Sequence, residues 1–573
     1  MSVKPATDLE SIYFSRPFKT RNADEYDLEN ILDLFIDPTD GLVGPFEFTN
    51  SIIKGKMGSG KTMYLRANYA YYLYTLVPCL IENGPIILPV YIRLSDFQNI
   101  HEPSDIYNAI IIKIIEEIIS VYQNHLKSAD ELARLHKGAN TLSGLWSTNK
   151  EIERIFNKLS KMTADEYTES VGKSIELEGS ASAKFFGAAA KYQEQFSGEL
   201  KRRYIPKFDD LVDVCKSILE PFSGKLLLLF DEVGSTSRNF FRPDDNGDSY
   251  FKTLMNQLRT LSYVRTKIAV YPHSYSDILR ETRYGDDIEL ECDIVNNSVQ
   301  FNAFFTKTVS LIERYIEKAT EIKCSAEDLF EISTENQILI EQLINASEGN
   351  MRRLVHLLDA SMITAYSRNQ GKDRISVDDV LNTLRDQGSK MESQYTDTDK
   401  EFLDNLAKVC RKRSTYRFTF PNKSTLIGRF TSTSEEYNII HICQAGTGRQ
   451  SSVYCFDYAY CVYKELPTHY IKESEKIDKS RSVVTGDPIK RIAQLTDELL
   501  FQSEIRGKIE GNIVYLSDEG GFIKDNEGKN YFFLKENIIK SDQNKSIRDN
   551  QMVSFLPFEW KTGSFMATEI EIL

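Results

Sequence analysis

The apolar positions change period several times along this chain, and each change marks a predicted element. Ile52-Ile53 is a short apolar run that enters a glycine-rich turn, and Thr62 to about Val77 follows without Gly or Pro, as one helix. Pro85 to Leu94 is apolar with β-branched residues, the pattern of a buried parallel strand, and residues 104 to 121 read as a helix with acids on one side. Residues 122 to 205 lack a clean period and read as an insertion, either a loop that projects into a pore or against a partner, or a surface hairpin. Lys225 to Phe230 and Lys267 to Pro272 are two more apolar strands.

Beyond residue 303 the spacing turns helical, over Phe304 to Ala319, Asn336 to Ala346 and Asn350 to Tyr366, with Ser376 as the N-cap of a further helix. Thr415 to Phe420 alternates as a strand. Ile439 to Ile442 and Ser452 to Tyr463 suit a hairpin across Ala445 to Gly448. A polar connector carries a helix around Pro488 to Phe501, and short strand-like runs then end at Ile572. The predicted organisation is an arm over 1–48, an α/β core over 49–302, a helical region over 303–390, a domain over 391–468, a connector over 469–504 and a small all-β domain over 505–573.

With 573 residues, several cores are expected. The formal net charge of −14 excludes a chain that binds nucleic acid through its overall charge, so any phosphate contact needs a local basic patch. Eight scattered cysteines with no C-x-x-C argue against a zinc site or a disulfide framework and suit a reducing cytosol. The most apolar long stretch, Ile110 to Val121, is interrupted by Lys113, Glu116 and Glu117, so no membrane span is expected.

The chemistry concentrates at Gly55-Lys56-Met57-Gly58-Ser59-Gly60-Lys61-Thr62, which fits G-x-x-x-x-G-K-[ST] between a strand and a helix. In such a loop Gly55, Gly58, Ser59 and Gly60 turn backbone N–H groups onto phosphate, Lys61 reaches the β/γ-phosphates of ATP, and Thr62 holds Mg²⁺. The apolar run Leu226 to Phe230 ends in Asp231-Glu232, which supplies a Mg²⁺ ligand and a carboxylate that activates water. These are the marks of an ATPase with an additional sheet strand. His273 and Ser274 follow the next strand as candidate sensors of the γ-phosphate, and Arg280 and Arg283 are candidate fingers for a neighbouring subunit, Arg283 being favoured.

With Gly349-Asn350-Met351-Arg352, residues 49 to 390 resemble the AAA+ ATPases, in particular the bacterial origin-recognition-complex-like branch. The resemblance implies a helical lid whose Arg352 reaches the nucleotide, with Arg353 if the register slips by one. It also implies a homo-oligomer and a winged helix over 391–468. Residues 408 to 450 hold eight basic residues against two acids, and Arg411, Lys412, Arg413 and Arg417 form the candidate nucleic-acid footprint. Residues 505–573 resemble a cold-shock domain, an oligonucleotide-binding (OB) barrel in which Phe522, Phe532 and Phe533 would stack bases. Gly520 and Leu534 depart from that pattern, and the segment holds eleven acids against nine bases. Two functions follow. One is an ATPase that couples nucleotide state to nucleic acid, DNA ahead of RNA, which the resemblance sets in phage defence or mobile elements; the other is a slow switch that signals to a protein effector.

Overall fold

The computed structural model describes residues 9–38, 44–126, 128–130, 132–133, 208–242, 248–271, 285–292, 294, 297–331, 337–413, 415–420, 427–431, 438–444, 446, 451–467, 492–496, 499–500, 508–517, 519–526, 528–539, 547–559 and 565–573. They fall into two compact units, Met1–Cys292 with Thr306–Asp328 and Gly349–Asp359, and Asp293–Phe305 with Leu329–Glu348 and Ala360–Leu573.

In the first unit the arm forms two short helices, α1 (Leu9–Ser15) and α2 (Leu28–Leu34). It packs inward as expected: Ile12, Tyr13, Phe18 and Ile31 are buried, and Phe18 stacks on Tyr315 at 6.0 Å. The core is a parallel sheet of β1 (Ser51–Lys54), β2 (Ile87–Arg93), β3 (Lys225–Asp231), β4 (Val264–Val270) and β5 (Asp286–Glu289). Its order is β2-β3-β4-β1-β5, so β4 separates the strand before the glycine-rich loop from the strand ending in two acids. That is the additional-strand arrangement expected from the sequence. Helices α3 (Lys61–Glu82), α4 (Pro103–Val121), α5 (Phe208–Leu219) and α6 (Tyr250–Thr260) cover it.

The strands are continuously apolar because both faces are covered. Leu226, Leu228 and Phe230 join one core with Ile52, Val90 and Ile268, while Leu227 and Leu229 join the opposite core with Ile53, Ala269 and Ile288. Helix α3 runs through Pro78 to Glu82, five residues past the predicted end, because Leu80 and Ile81 still pack on the core beyond the missing N–H. The insertion begins as a wide helical turn over Tyr122–Leu126. Most of the rest of it lies outside the described residues.

The helical region holds α7 (Ser298–Thr320), α8 (Gln337–Ser347), α9 (Met351–Asn369) and α10 (Val377–Ser393), close to the predicted spans. Ser376 caps α10 in a reciprocal box with Asp379: Ser376 N–H donates to Asp379 Oδ2 at 2.8 Å, and Asp379 N–H donates to Ser376 Oγ at 3.3 Å. In the second unit α11 (Asp397–Lys412) shares a core with a sheet of β6 (Arg417–Thr419), β7 (Ile440–Gln444), β8 (Val453–Phe456) and β9 (Ile492–Gln494), ordered β7-β8-β6-β9. The hairpin forms between β7 and β8, but Tyr458–Tyr463 is a helix, α12, capped by Asp457. α10 packs closely on it: a Cβ on Gly388 would lie 2.6 Å from the Ala459 carbonyl.

Strand β9 corrects the first part of the helix expected around Pro488 to Phe501, whereas Leu499 and Leu500 are helical as expected. Ala493 is buried while Ile492 and Gln494 are exposed, and the pairing with β6 overrides local propensity. The C-terminal segment is a closed barrel of β10 (Ile509–Leu516), β11 (Gly520–Asp525), β12 (Asn530–Leu534), β13 (Met552–Glu559) and β14 (Phe565–Ile572), ordered β10-β11-β12-β14-β13. Among the described residues no helix is long and apolar enough to cross a membrane.

One buried charge stands out in the first unit. Lys267 on β4 is buried, and its ammonium donates to Asn68 Oδ1 at 2.7 Å and the Pro45 carbonyl at 2.8 Å. Burial pushes its pKa down to about 7 from an ordinary 10.5. Between these values the unfolded chain binds more protons than the folded one, so this group makes stability rise with pH from about 7 to 10.5. Urea titrations at pH 6, 8 and 10 should show the stability difference between wild type and Lys267→Met shifting in favour of wild type as pH rises. Parallel curves at all three pH values would refute this assignment.

Candidate functional site

The glycine-rich loop, the two acids and the start of α9 all lie in the first unit. Gly58 has φ +80° and Gly60 has φ +98°, left-handed conformations that glycine takes without a Cβ clash. Gly60 is the N-cap of α3, so the loop delivers the unpaired N–H groups of that helix to one point. A Cβ on Gly60 would meet nothing within 4 Å, leaving room over the loop. Lys61 folds back onto the loop: its Nζ donates to the Gly55 carbonyl at 2.6 Å and the Lys56 carbonyl at 2.8 Å, and lies 4.0 Å from the centroid of the Tyr271 ring. Ser59 Oγ is buried with no hydrogen-bond partner among the described residues. A phosphate oxygen would satisfy that hydroxyl and draw the ammonium from the carbonyls, so the loop fits an anionic nucleotide.

At the end of β3, Asp231 is buried, accepting from the Tyr91 hydroxyl at 2.5 Å and the Glu232 N–H at 2.8 Å. Burial and the Asp231 charge raise the Tyr91 pKa, so its hydroxyl stays protonated and donates. Each carboxylate oxygen of Asp231 keeps a lone pair for a cation, which suits Mg²⁺ together with the Thr62 hydroxyl. Glu232 is half-buried with φ +54°, a conformation that costs a non-glycine residue about 1–3 kcal/mol. Its carbonyl is fixed by the Ser235 hydroxyl at 2.7 Å, and Arg93 lies within its electrostatic range.

The start of α9 clamps the loop. Asn350 Nδ2 donates to the Met57 carbonyl at 2.7 Å, its Oδ1 accepts the Arg353 N–H at 3.0 Å, and the Arg352 N–H donates to the Gly58 carbonyl at 3.2 Å. Any Cβ on Gly58 would sit 2.4 Å from Asn350 Oδ1. Arg352 therefore stands beside the loop, whereas Arg353, the alternative register, is buried in the core. His273, Ser274, Arg280 and Arg283 lie outside the described residues.

With this geometry in place, the family comparison is specific about one segment. Residues 16–76 match the ORC-CDC6-like family model. The matched segment spans most of the arm, β1, the glycine-rich loop and the first sixteen residues of α3. No curated protein matches the chain. Among solved structures, the Aeropyrum pernix ORC1 protein in complex with DNA is 13% identical, with a TM-score of 0.29, covering 77% of this chain and 92% of its own. The Aeropyrum pernix ORC2 protein, solved as ADPNP-ADP complexes, is also 13% identical, with a TM-score of 0.31 over 69% of this chain and 78% of its own.

In the second unit Arg411, Lys412 and Arg413 are exposed on the last turn and C-cap of α11, where cations also offset the helix dipole. The Arg411 guanidinium donates to the Lys464 carbonyl, and Arg417 is half-buried with its guanidinium 5.5 Å from the centroid of the Tyr416 ring. On the barrel, Phe522 and Phe532 are cross-strand neighbours with ring centroids 5.5 Å apart. Phe533 must be removed from the stacking set: strand alternation turns it inward, and it is fully buried in the barrel core. Tyr515 takes its place. A bulge between Ile513 and Tyr515 turns that ring outward, 57% exposed and 6.4 Å from Phe522. The aromatic missing at Gly520 also has a steric reason, since a Cβ there would lie 2.1 Å from the Phe533 carbonyl.

Replacing Asn350 with alanine should cost about 1–2 kcal/mol through the lost cap and weaken nucleotide affinity through the loosened loop. Calorimetric titration with ADP checks this; unchanged affinity would show that the clamp does not hold the loop.

Proposed function

We propose that this chain is an ORC-CDC6-like AAA+ ATPase that binds ATP and Mg²⁺, hydrolyses ATP as a homo-oligomer in the cytoplasm, and couples nucleotide state to nucleic acid, DNA ahead of RNA. The observation that carries this reading is the phosphate loop clamped by Asn350, in a sheet where the next strand but one ends in buried Asp231, followed by half-buried Glu232. Bound ATP·Mg²⁺ supplies the transferable phosphoryl group and its charge neutralisation. Gly58, Ser59 and Gly60 bind the phosphates, Lys61 exchanges its loop carbonyls for phosphate oxygens, and Thr62 with Asp231 orients the metal. Tyr91 keeps Asp231 in place. Glu232 orients the attacking water and accepts its proton. Arg352 answers the γ-phosphate, and Arg283 or Arg280 reaches a neighbouring subunit's nucleotide.

Glu232→Gln should retain ATP binding and lose about 10²–10⁴-fold in turnover, while Lys61→Ala should lose binding. Wild-type turnover in Glu232→Gln would overturn the assignment of the base.

The tethered Arg411 and the acid-rich barrel favour a second reading, a regulatory switch that signals to a protein effector. Binding assays separate the two. Reversal of Arg411, Lys412 and Arg413 to glutamate should flatten the salt dependence of duplex binding, by about 0.9 in log–log slope per lost phosphate contact. Replacement of Tyr515, Phe522 and Phe532 with alanine should weaken single-strand binding by about 1–3 kcal/mol per stacked base, with little change in the salt slope. Unchanged binding in both variants would leave the switch as the better reading.

A further inference from the structure

A second cluster of titratable side chains lies apart from the phosphate loop, within the second unit. It joins His441 on β7, Asp457 at the N-cap of α12, and Glu348, the residue after α8. His441 Nε2 is 3.3 Å from Glu348 Oε1 and 3.3 Å from Asp457 Oδ2, and the three ligand atoms lie within 4.8 Å of one another.

The fold presents these atoms for separate local reasons. Asp457 uses Oδ1 to cap α12, accepting from the Ala459 N–H at 2.9 Å and the Tyr460 N–H at 3.3 Å, and its other oxygen faces His441. β7 pairs His441 with Cys455 across the hairpin, so the imidazole stands on the ladder beside the strand that ends next to Asp457. Glu348 leaves α8 with φ +52°, the left-handed turn that often ends a helix, and the chain reverses there.

A single N–H on Nε2 can point well at one of these carboxylates, since a hydrogen bond weakens steeply as it bends. A tetrahedral zinc ion with ligands at about 2.0–2.2 Å sets its ligand atoms about 3.3–3.5 Å apart. Both printed contacts of His441 have that length. Charge points the same way. The Asp457 side chain is fully buried, and a dication held on neutral imidazole would face carboxylates from two sides. An imidazole nitrogen among the three ligand atoms favours zinc over magnesium, which takes oxygen ligands.

We propose that Glu348, His441 and Asp457 form a zinc site with three protein ligands and a fourth position open to water. The test uses the full chain, zinc chloride as the probe, dialysis and elemental analysis, and competition with a chelating dye for affinity. Wild type and His101→Gln, an exposed histidine elsewhere, should each retain about one zinc per chain. His441→Gln and Glu348→Gln should weaken binding by at least about ten-fold. Asp457→Asn keeps an oxygen to cap α12 and should show the same loss, which separates ligation from folding; metal-free melting curves that match wild type complete that control. Equal zinc retention in all variants, no retention in wild type, or displacement of zinc by millimolar Mg²⁺ would each overturn the proposal.

Discussion

The contact on which the candidate site depends is the carboxamide of Asn350. One side chain donates to the Met57 carbonyl, accepts the Arg353 N–H at the start of α9, and fills the space that a side chain on Gly58 would need. The shape of the phosphate loop and the position of the first lid turn are therefore a single constraint. Glycine at position 58 satisfies two conditions, a left-handed φ of +80° and the close approach of that amide. A loop held from its outer side in this way keeps its N–H groups aimed before any anion arrives, which lowers the ordering cost of binding.

The sheet supplies the other half of the site. Because β4 lies between β1 and β3, the phosphate loop and the two acids leave the sheet one strand apart, which opens a gap at its C-terminal edge. The strands can be nearly uniform in apolar residues because neither face meets water, so the first polar residues after the Leu226–Phe230 run stand at that edge. Asp231 is the last residue of β3, and Glu232 leaves the strand in a left-handed turn with its N–H on the Asp231 carboxylate. The two acids are thus placed differently by one turn: Asp231 is buried and holds two donors, while Glu232 is partly open.

What could be read from the sequence was what is local in the sequence. The phosphate loop, the acid pair, the buried strands and the Ser376 cap each depend on neighbours within a few residues, and each stands where its spacing placed it. Features set by strand order or long-range packing were not legible. The Tyr91 hydroxyl meets Asp231 only because β2 pairs with β3, and nothing near Tyr91 in the chain reports that pairing. β5 is an acidic edge strand with three of its four residues exposed, so it carries no apolar run to detect. Lys267 opens the apolar run in sequence, and nothing beside it in the chain reports that Asn68 and Pro45 come to its ammonium and let it be buried. β9 lay in a segment whose composition suggested a helix, and pairing with β6 settled its form.

On the barrel, parity decides which aromatics a partner can reach. Along β12 the alternation sends Phe532 outward and Phe533 inward, although the two are adjacent and chemically identical. Strict alternation along β10 would put Tyr515 inside with Ile513, but the bulge adds one residue and returns it to the outer face beside Phe522. The outcome is an outward-facing aromatic row, exposed at Tyr515 and Phe522 and half-buried at Phe532, on three adjacent strands of a barrel segment that holds more acids than bases. Stacking depends on flat apolar area, while attraction to phosphate depends on charge, and the segment's excess of acids opposes the second. Stacking on these rings would change little with salt, whereas contacts from Arg411 to Arg413, exposed at the end of α11, would weaken as salt rises.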